Sequence, residues 1–148
     1  MELLSEQLGV IGTIDPQTLA DTEVFSDVID MSKYNRIMCI FQTGDMNGST
    51  GSLVARCVTC DSGGTNAAAF KTATTIAAAS SDNKQVIIEV DQNDLAEGGT
   101  NANRYVKFGA VSGTTGGPVS AVVLGESKHR PSTNDDLSTV NEIEIDAD

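Results

Sequence analysis

Three cysteines, one histidine and a scatter of carboxylates are the groups in this chain that could do chemistry. Cys57-Val-Thr-Cys60 has the spacing of a redox pair, in which a helix start lowers the pKa of the first thiol. These two thiols, however, lie in the strand-like segment Ser52–Cys60, where residues three apart face opposite sides. A structural zinc site needs two more ligands, and only Cys39 and His129 remain, neither with companion spacing. Cys57 and Cys60 are therefore read as packed thiols. Ser-His-Asp or Cys-His catalysis would have to run through His129, in a polar stretch just before Pro131 and beyond the last strand-like segment. A general base needs an imidazole oriented by a partner inside a cleft, and a tail position does not supply one.

The carboxylates fare no better as a site. Asp91-Gln92-Asn93-Asp94 is similar to part of a calcium loop, but the glycine at the sixth loop position and the glutamate at the twelfth are missing. Asp82, Asp91, Asp94 and Glu97 are read as turn residues and a helix cap. The glycine pairs at 63–64, 98–99 and 116–117 do not follow phosphate-loop spacing, and no Gly-Lys-Ser/Thr occurs. Asn47-Gly48-Ser49 is read as a hairpin turn. No reaction, cofactor or metal is assigned: the expectation is a non-enzymatic protein that acts through its surfaces.

The elements that present those surfaces are strands. Gly, Asn and Ser clusters at Gly44–Ser52, Asp61–Asn66, Ser80–Asn83, Glu97–Asn103 and Ser112–Pro118 separate short apolar segments. In Lys84–Asp91, Val86, Ile88 and Val90 alternate with Gln85, Ile87, Glu89 and Asp91; in Asn103–Val111, Val106, Phe108 and Ala110 alternate with Tyr105, Lys107 and Gly109. A period of two marks a strand half buried against a core. Tyr34–Gln42, Ser52–Cys60 and Pro118–Gly125 (Val119, Ala121 and Val123 on one side) read the same way. Val24–Asp30 is a plausible first strand, and Ala67–Ile76 supplies one or two poorer ones. Asp91–Glu97 allows one short helical turn. Seven to eight short strands in one domain predict an all-β antiparallel sandwich, of jelly-roll or immunoglobulin-like type.

Two flanks are expected outside that sandwich, which is placed at residues 22–125. Residues 1–21 carry Leu3, Leu4, Leu8, Val10, Ile11 and Ile14 before Pro16. They form either an edge strand at Val10–Ile14 or an arm that docks on a neighbouring subunit. Deleting Met1–Thr13 is expected to weaken partner binding more than it weakens folding. Residues 126–148 form an acidic tail in which Val140, Ile143 and Ile145 alternate with polar residues. Such a segment can add a strand to a partner's open edge, or remain a solvated tail.

Length and charge exclude several classes. A chain of 148 residues buries roughly 70% of its unfolded surface without disulfides or metals. Asp and Glu outnumber Lys and Arg by 21 to 9, a formal charge of −12, and the bases are scattered, which argues against nucleic acid as a partner. Met1–Leu4 has no secretory pattern and no apolar run reaches the ~20 residues of a membrane span. The chain is expected to be soluble, made in a reducing cytoplasm, and without a membrane partner.

The order of segments resembles a family of small proteins encoded beside the major capsid protein of tailed bacteriophages, the capsid decoration or cement proteins. The resemblance rests on Asp30-Met31-Ser32-Lys33-Tyr34 feeding the apolar strand Arg36–Phe41, then a Gly-rich hairpin and an Ala/Thr segment. Lys84–Asp91, Arg104-Tyr105-Val106 and Leu124-Gly125 before Pro131 complete it, so that it spans residues 10–131. It implies a β-sandwich on the outer surface of a virion capsid, self-associated as a dimer or trimer, whose partner is the major capsid protein and which bridges capsomers. The tail after Pro131 departs from the pattern. Two alternatives stand beside this: a carbohydrate-binding module, which would have only Tyr34 and Tyr105 as aromatic platforms and no Trp, and a head–tail or tail component.

Overall fold

The computed structural model describes residues 4–46, 52–73, 75, 82–97, 104–113, 116–129 and 139. The chain is an all-β sandwich of two antiparallel sheets. Its strands are β1 (Leu8–Thr18), β2 (Glu23–Phe25), β3 (Ile29–Asp30), β4 (Tyr34–Thr43), β5 (Leu53–Cys60), β6 (Ala68–Thr72), β7 (Gln85–Asp91), β8 (Tyr105–Ser112) and β9 (Pro118–Ser127). Two short helices, α1 (Leu4–Gln7) and α2 (Gln92–Glu97), precede β1 and follow β7. Sheet A runs β1-β9-β4-β7, and sheet B runs β2-β8-β5-β6 with β3 also on β8.

Successive connections cross between the sheets at β1–β2, β3–β4, β4–β5, β6–β7, β7–β8 and β8–β9, while β1 pairs β9, β2 pairs β8, β4 pairs β7 and β5 pairs β6. This is one long antiparallel hairpin rolled into two layers, the jelly-roll order rather than the immunoglobulin one. The hairpin's tip is the turn after β5. There the Asp61 carboxylate accepts hydrogen bonds from the backbone N–H of Gly63 (3.0 Å) and Thr65 (2.8 Å) and from Asn66 Nδ2 (2.9 Å). Gly64, at φ +76°, takes the left-handed conformation the turn requires.

Period-two patterning becomes the core as the strands pack. Ile37, Cys39 and Phe41 of β4, Ile88 and Val90 of β7, and Val119, Ala121 and Val123 of β9 point inward from sheet A. Leu53, Ala55 and Cys57 of β5 and Val106, Phe108 and Ala110 of β8 face them from sheet B. Phe41 and Phe108 meet edge to face across the two layers, with ring centroids 6.3 Å apart. A Cβ at Gly125, on the inner face of β9, would lie 2.7 Å from Ile11 Cδ1 and 2.9 Å from the Tyr34 ring, so a larger residue there would have to displace both.

Strand positions read from the sequence agree closely with β4, β5, β7, β8 and β9, and α2 occupies the expected helical turn. Val24–Asp30, however, is not one strand. Ser26 breaks it, its Oγ accepting from Phe108 N–H (3.0 Å) while its own N–H donates to Phe108 O (2.8 Å). The sandwich also begins earlier than residue 22. Ile11 and Ile14 of β1 are 5% and 2% exposed in the chain's own core, and Leu8–Thr18 runs antiparallel along β9. β9 in turn continues to Ser127, past the expected boundary at 125. The edge-strand alternative describes residues 8–18; as a free docking arm, Ile11 and Ile14 have nothing left to offer. Leu3, Val140, Ile143 and Ile145 lie outside the described residues.

Where β3 meets the start of β8, Arg104 grips Asp30 with two hydrogen bonds, Nε donating at 2.6 Å and Nη2 to the second carboxylate oxygen. The guanidinium hydrogen bond outweighs the upward push of burial and holds the Asp30 carboxyl well below the usual carboxylate range. A depressed folded-state pKa contributes stability that is present above the unfolded value of about 3.9 and is lost as pH falls toward the folded one. Asp30→Asn is therefore expected to lower the melting temperature at neutral pH, with the gap from wild type closing below about pH 4. A gap unchanged at about pH 2 would mean that the substitution disturbs packing rather than charge.

Candidate interaction surface

Most of the groups singled out above for chemistry serve the fold where they are described. Cys39, Cys57 and Cys60 are all free and fully buried. Cys57 belongs to the inter-sheet core, whereas Cys60 lies on the opposite side of β5, as strand geometry requires. Burial pushes the Cys57 thiol up to about 12 and the Cys39 thiol higher still, so neither ionises at neutral pH. Asp94 accepts from Lys71 Nζ (2.6 Å) and Asp91 N–H (3.1 Å), and Asp91 accepts from Asn93 N–H (2.8 Å): these carboxylates cap α2 and pin it to β6. Asp82 accepts from Met46 N–H (2.8 Å). His129 is exposed beyond β9, its backbone N–H donating to Ser127 Oγ (3.3 Å). Among the described residues no three His, Cys, Asp or Glu come together as a metal site, and no helix is long and apolar enough to cross a membrane.

The two outer faces of the sandwich differ in kind. On sheet B the chain covers itself. Gly109 leaves room for Phe25 to lie on β8, with Lys107 Nζ 4.0 Å from the ring centroid and the Arg56 guanidinium 5.9 Å away. Arg56 is held by both carboxylate oxygens of Glu23, and Lys107 Nζ donates to Gly64 O (2.8 Å), tying the tip turn to this face. Val58 and Cys60, on this outer side of β5, are buried.

The outer face of sheet A keeps apolar side chains exposed among the described residues. Its register stacks side chains in cross-strand rows: Gln85, Gln42 and Ser120; then Ile87, Ile40, Val122 and Thr13; then Glu89, Met38, Leu124 and Val10; then Asp91, Arg36, Glu126 and Leu8. Ile87 is 58% and Val122 41% exposed, and Ile40, Met38, Leu124, Val10 and Leu8 are half-buried. An apolar band thus crosses four strands between a polar row and a charged row. In the charged row Arg36 Nε lies 3.4 Å from Glu126 Oε2. At that end a hollow of about 210 Å³ opens between α1 and the sheet, lined by Leu8, Met38 and Leu124 and by Arg36, Glu89 and Glu126.

The apolar N-terminal residues divide between the two sides of sheet A. Leu8 and Val10 lie on the outer face, Ile11 and Ile14 turn inward across a bulge between Val10 and Gly12, and Leu4 in α1 is 69% exposed. Sequence reasoning did not single out Met38, Ile40, Ile87, Val122 and Leu124 as parts of one interaction surface. The signal was there: Ile87 interrupts the otherwise polar side of β7, and Val122 and Leu124 occupy the off-core positions of β9. Of the two aromatic platforms open to a sugar, Tyr34 is 3% exposed beneath β9, and Tyr105 carries the Arg104 guanidinium 5.2 Å over its ring.

No family model and no curated protein matches this chain. Two solved structures align with it. One is a chain of Bacillus endospore appendages, described as a family of disulfide-linked pili (11% identity, TM-score 0.43, covering 86% of this chain and 97% of that one). The other belongs to Desmodium yellow mottle tymovirus (11% identity, TM-score 0.44, covering 81% and 87%). Neither likeness bears on what this chain does.

Proposed function

We propose that this chain is a virion structural protein, a decoration or cement protein that binds the outside of an assembled tailed-phage capsid and stabilises it by bridging capsomers. The observation that carries the reading is the exposed apolar band on sheet A, on a jelly roll whose thiols are buried and whose described carboxylates near α2 are tied into turns and caps. A protein built this way acts by docking. The largest apolar patch on a soluble domain, typically about 300–600 Å², is often functional. Its charge of −12 keeps the free chain dispersed until a shell offers many sites at once, where modest affinity per site accumulates. The segment order that resembles decoration proteins names the shell as the partner, its major capsid protein as the contact, and self-association into a dimer or trimer as the form that binds.

The test is co-sedimentation with cognate capsids, expanded and unexpanded. Saturable binding at a fixed ratio to the major capsid subunit, with a raised capsid melting temperature, is the expected result. Absence of binding to both shells would end the cement reading, and a ring-like copy number in virions would replace it with a tail component.

A further inference from the structure

We infer that the outer face of sheet A is the docking surface, and that its occupant is a protein surface of the opposite character: an apolar patch with a lysine- or arginine-bearing rim. The inference deepens the cement reading, and rests on it for the capsid as the source of that partner. The geometry of the face is its first support. Rows Ile87-Ile40-Val122 and Met38-Leu124-Val10 form a flat apolar centre, bounded by Gln85 and Gln42 on one side and by Arg36 and Glu126 on the other. An apolar centre inside a polar rim is the anatomy of a protein interface. Sheet B, whose outer face is covered by Phe25, Arg56 and Lys107, offers no equivalent.

Charge selects the partner. Among the described residues the charged rim holds Glu89, Asp91 and Glu126 against Arg36, with Lys71 at the β7 edge already held by Asp94 and Glu89 O, and the whole chain carries −12. A second copy placed face to face would set acidic rim against acidic rim and bring together two strongly negative bodies, whereas a basic rim is attracted over the full surface. Area points the same way. Four strands spaced ~4.8 Å and two apolar rows of side chains about 7 Å apart make a face on the order of 300 Å². A stable pair usually needs about 800 Å² per partner. That is small for a self-contained dimer and sufficient for one of many simultaneous contacts on a repeating surface. The hollow beside Leu8, Met38 and Leu124, with Glu89 and Glu126 at its walls, fits one long basic side chain: the aliphatic stem lies on the apolar floor and the cationic head reaches the carboxylates.

The test compares the full chain with the double variant Ile87→Ser/Val122→Ser and with Glu89→Lys, all at solvent-facing positions. Thermal melts within a few degrees of wild type confirm folding. In co-sedimentation with expanded cognate capsids, wild type is expected to bind, the double variant at least tenfold more weakly, and Glu89→Lys also more weakly. Equal binding by all three overturns the docking surface while leaving the cement reading standing. Should wild type bind no capsid, the cement reading fails, and the surface is judged with a synthetic peptide of alternating leucine and lysine. A tenfold weaker affinity of that peptide for the double variant than for wild type upholds the surface, and equal affinity overturns it. Sedimentation equilibrium of the free protein supplies the remaining outcome: a wild-type dimer that the double variant abolishes would give this face to a second copy and overturn the basic partner.

Discussion

Removing residues 1–13 is expected to leave a chain that no longer folds cooperatively. Leu8–Thr13 forms the ladder that closes β9 from Glu126 to Val122, and Ile11 is buried against the inner face that includes Gly125 and Tyr34. Burying an isoleucine contributes about 1.5–3 kcal/mol. The ladder adds several net hydrogen bonds at about 0.5–1.5 kcal/mol each. Together these approach the whole stability of a domain, about 5–15 kcal/mol. The truncation would also unpair β9 from Val122 to Glu126, an open edge that invites aggregation. Circular dichroism melts and one-dimensional proton spectra of the truncated chain provide the check. A dispersed spectrum and a sharp melt near that of wild type would show that β1 is dispensable, and would return residues 1–13 to the role of an arm. Loss of cooperative folding is the opposite of the expectation drawn from the sequence, that binding suffers more than folding.

Phe108→Ala carries the second large effect. Phe108 is fully buried at the centre of sheet B and meets Phe41 of sheet A edge to face, so it joins the two layers at mid-core. Truncating a buried phenylalanine to alanine costs about 3–5 kcal/mol, the lost transfer energy plus the cavity left behind. For a chain of this size that corresponds to a melting temperature lower by roughly 10–15 °C. The backbone bonds between Phe108 and Ser26 remain available, so the loss reports packing rather than the ladder. Chemical denaturation of both proteins at one pH measures it, with the slope showing whether the unfolded states are comparable. A loss under about 1 kcal/mol would mean that neighbouring side chains collapse into the space and that the inter-sheet contact is not specific.

These two positions also show why the sequence was legible in one place and not the other. Phe108 could be placed in the core because its neighbours alternate: Val106 and Ala110 share its side, and Tyr105, Lys107 and Gly109 take the other. Ile11 could not, because a bulge between Val10 and Gly12 shifts the period by one and splits a continuous apolar run between two faces. The same limit hid the outer face of sheet A. Ile87, Val122 and Leu124 read individually as exceptions to their strands' patterning, and only cross-strand register, set by residues 30 or more apart in sequence, lines them up into one band.

Local patterning alone was enough for β4, β5, β7, β8 and β9, for the inward side of each of these strands, for the failure of Cys57-Val-Thr-Cys60 as a redox motif, and for the strong negative charge. All of these follow from local periodicity, spacing and composition, which a chain carries before it folds. The tertiary structure alone decided the jelly-roll order, the place of residues 8–18 as a closing strand, the burial of Tyr34, and the contrast between a covered sheet B and a sheet A with exposed apolar side chains. Those depend on which strands meet and in what register, and pairing between distant segments is selected by the burial of the assembled core rather than by any local pattern.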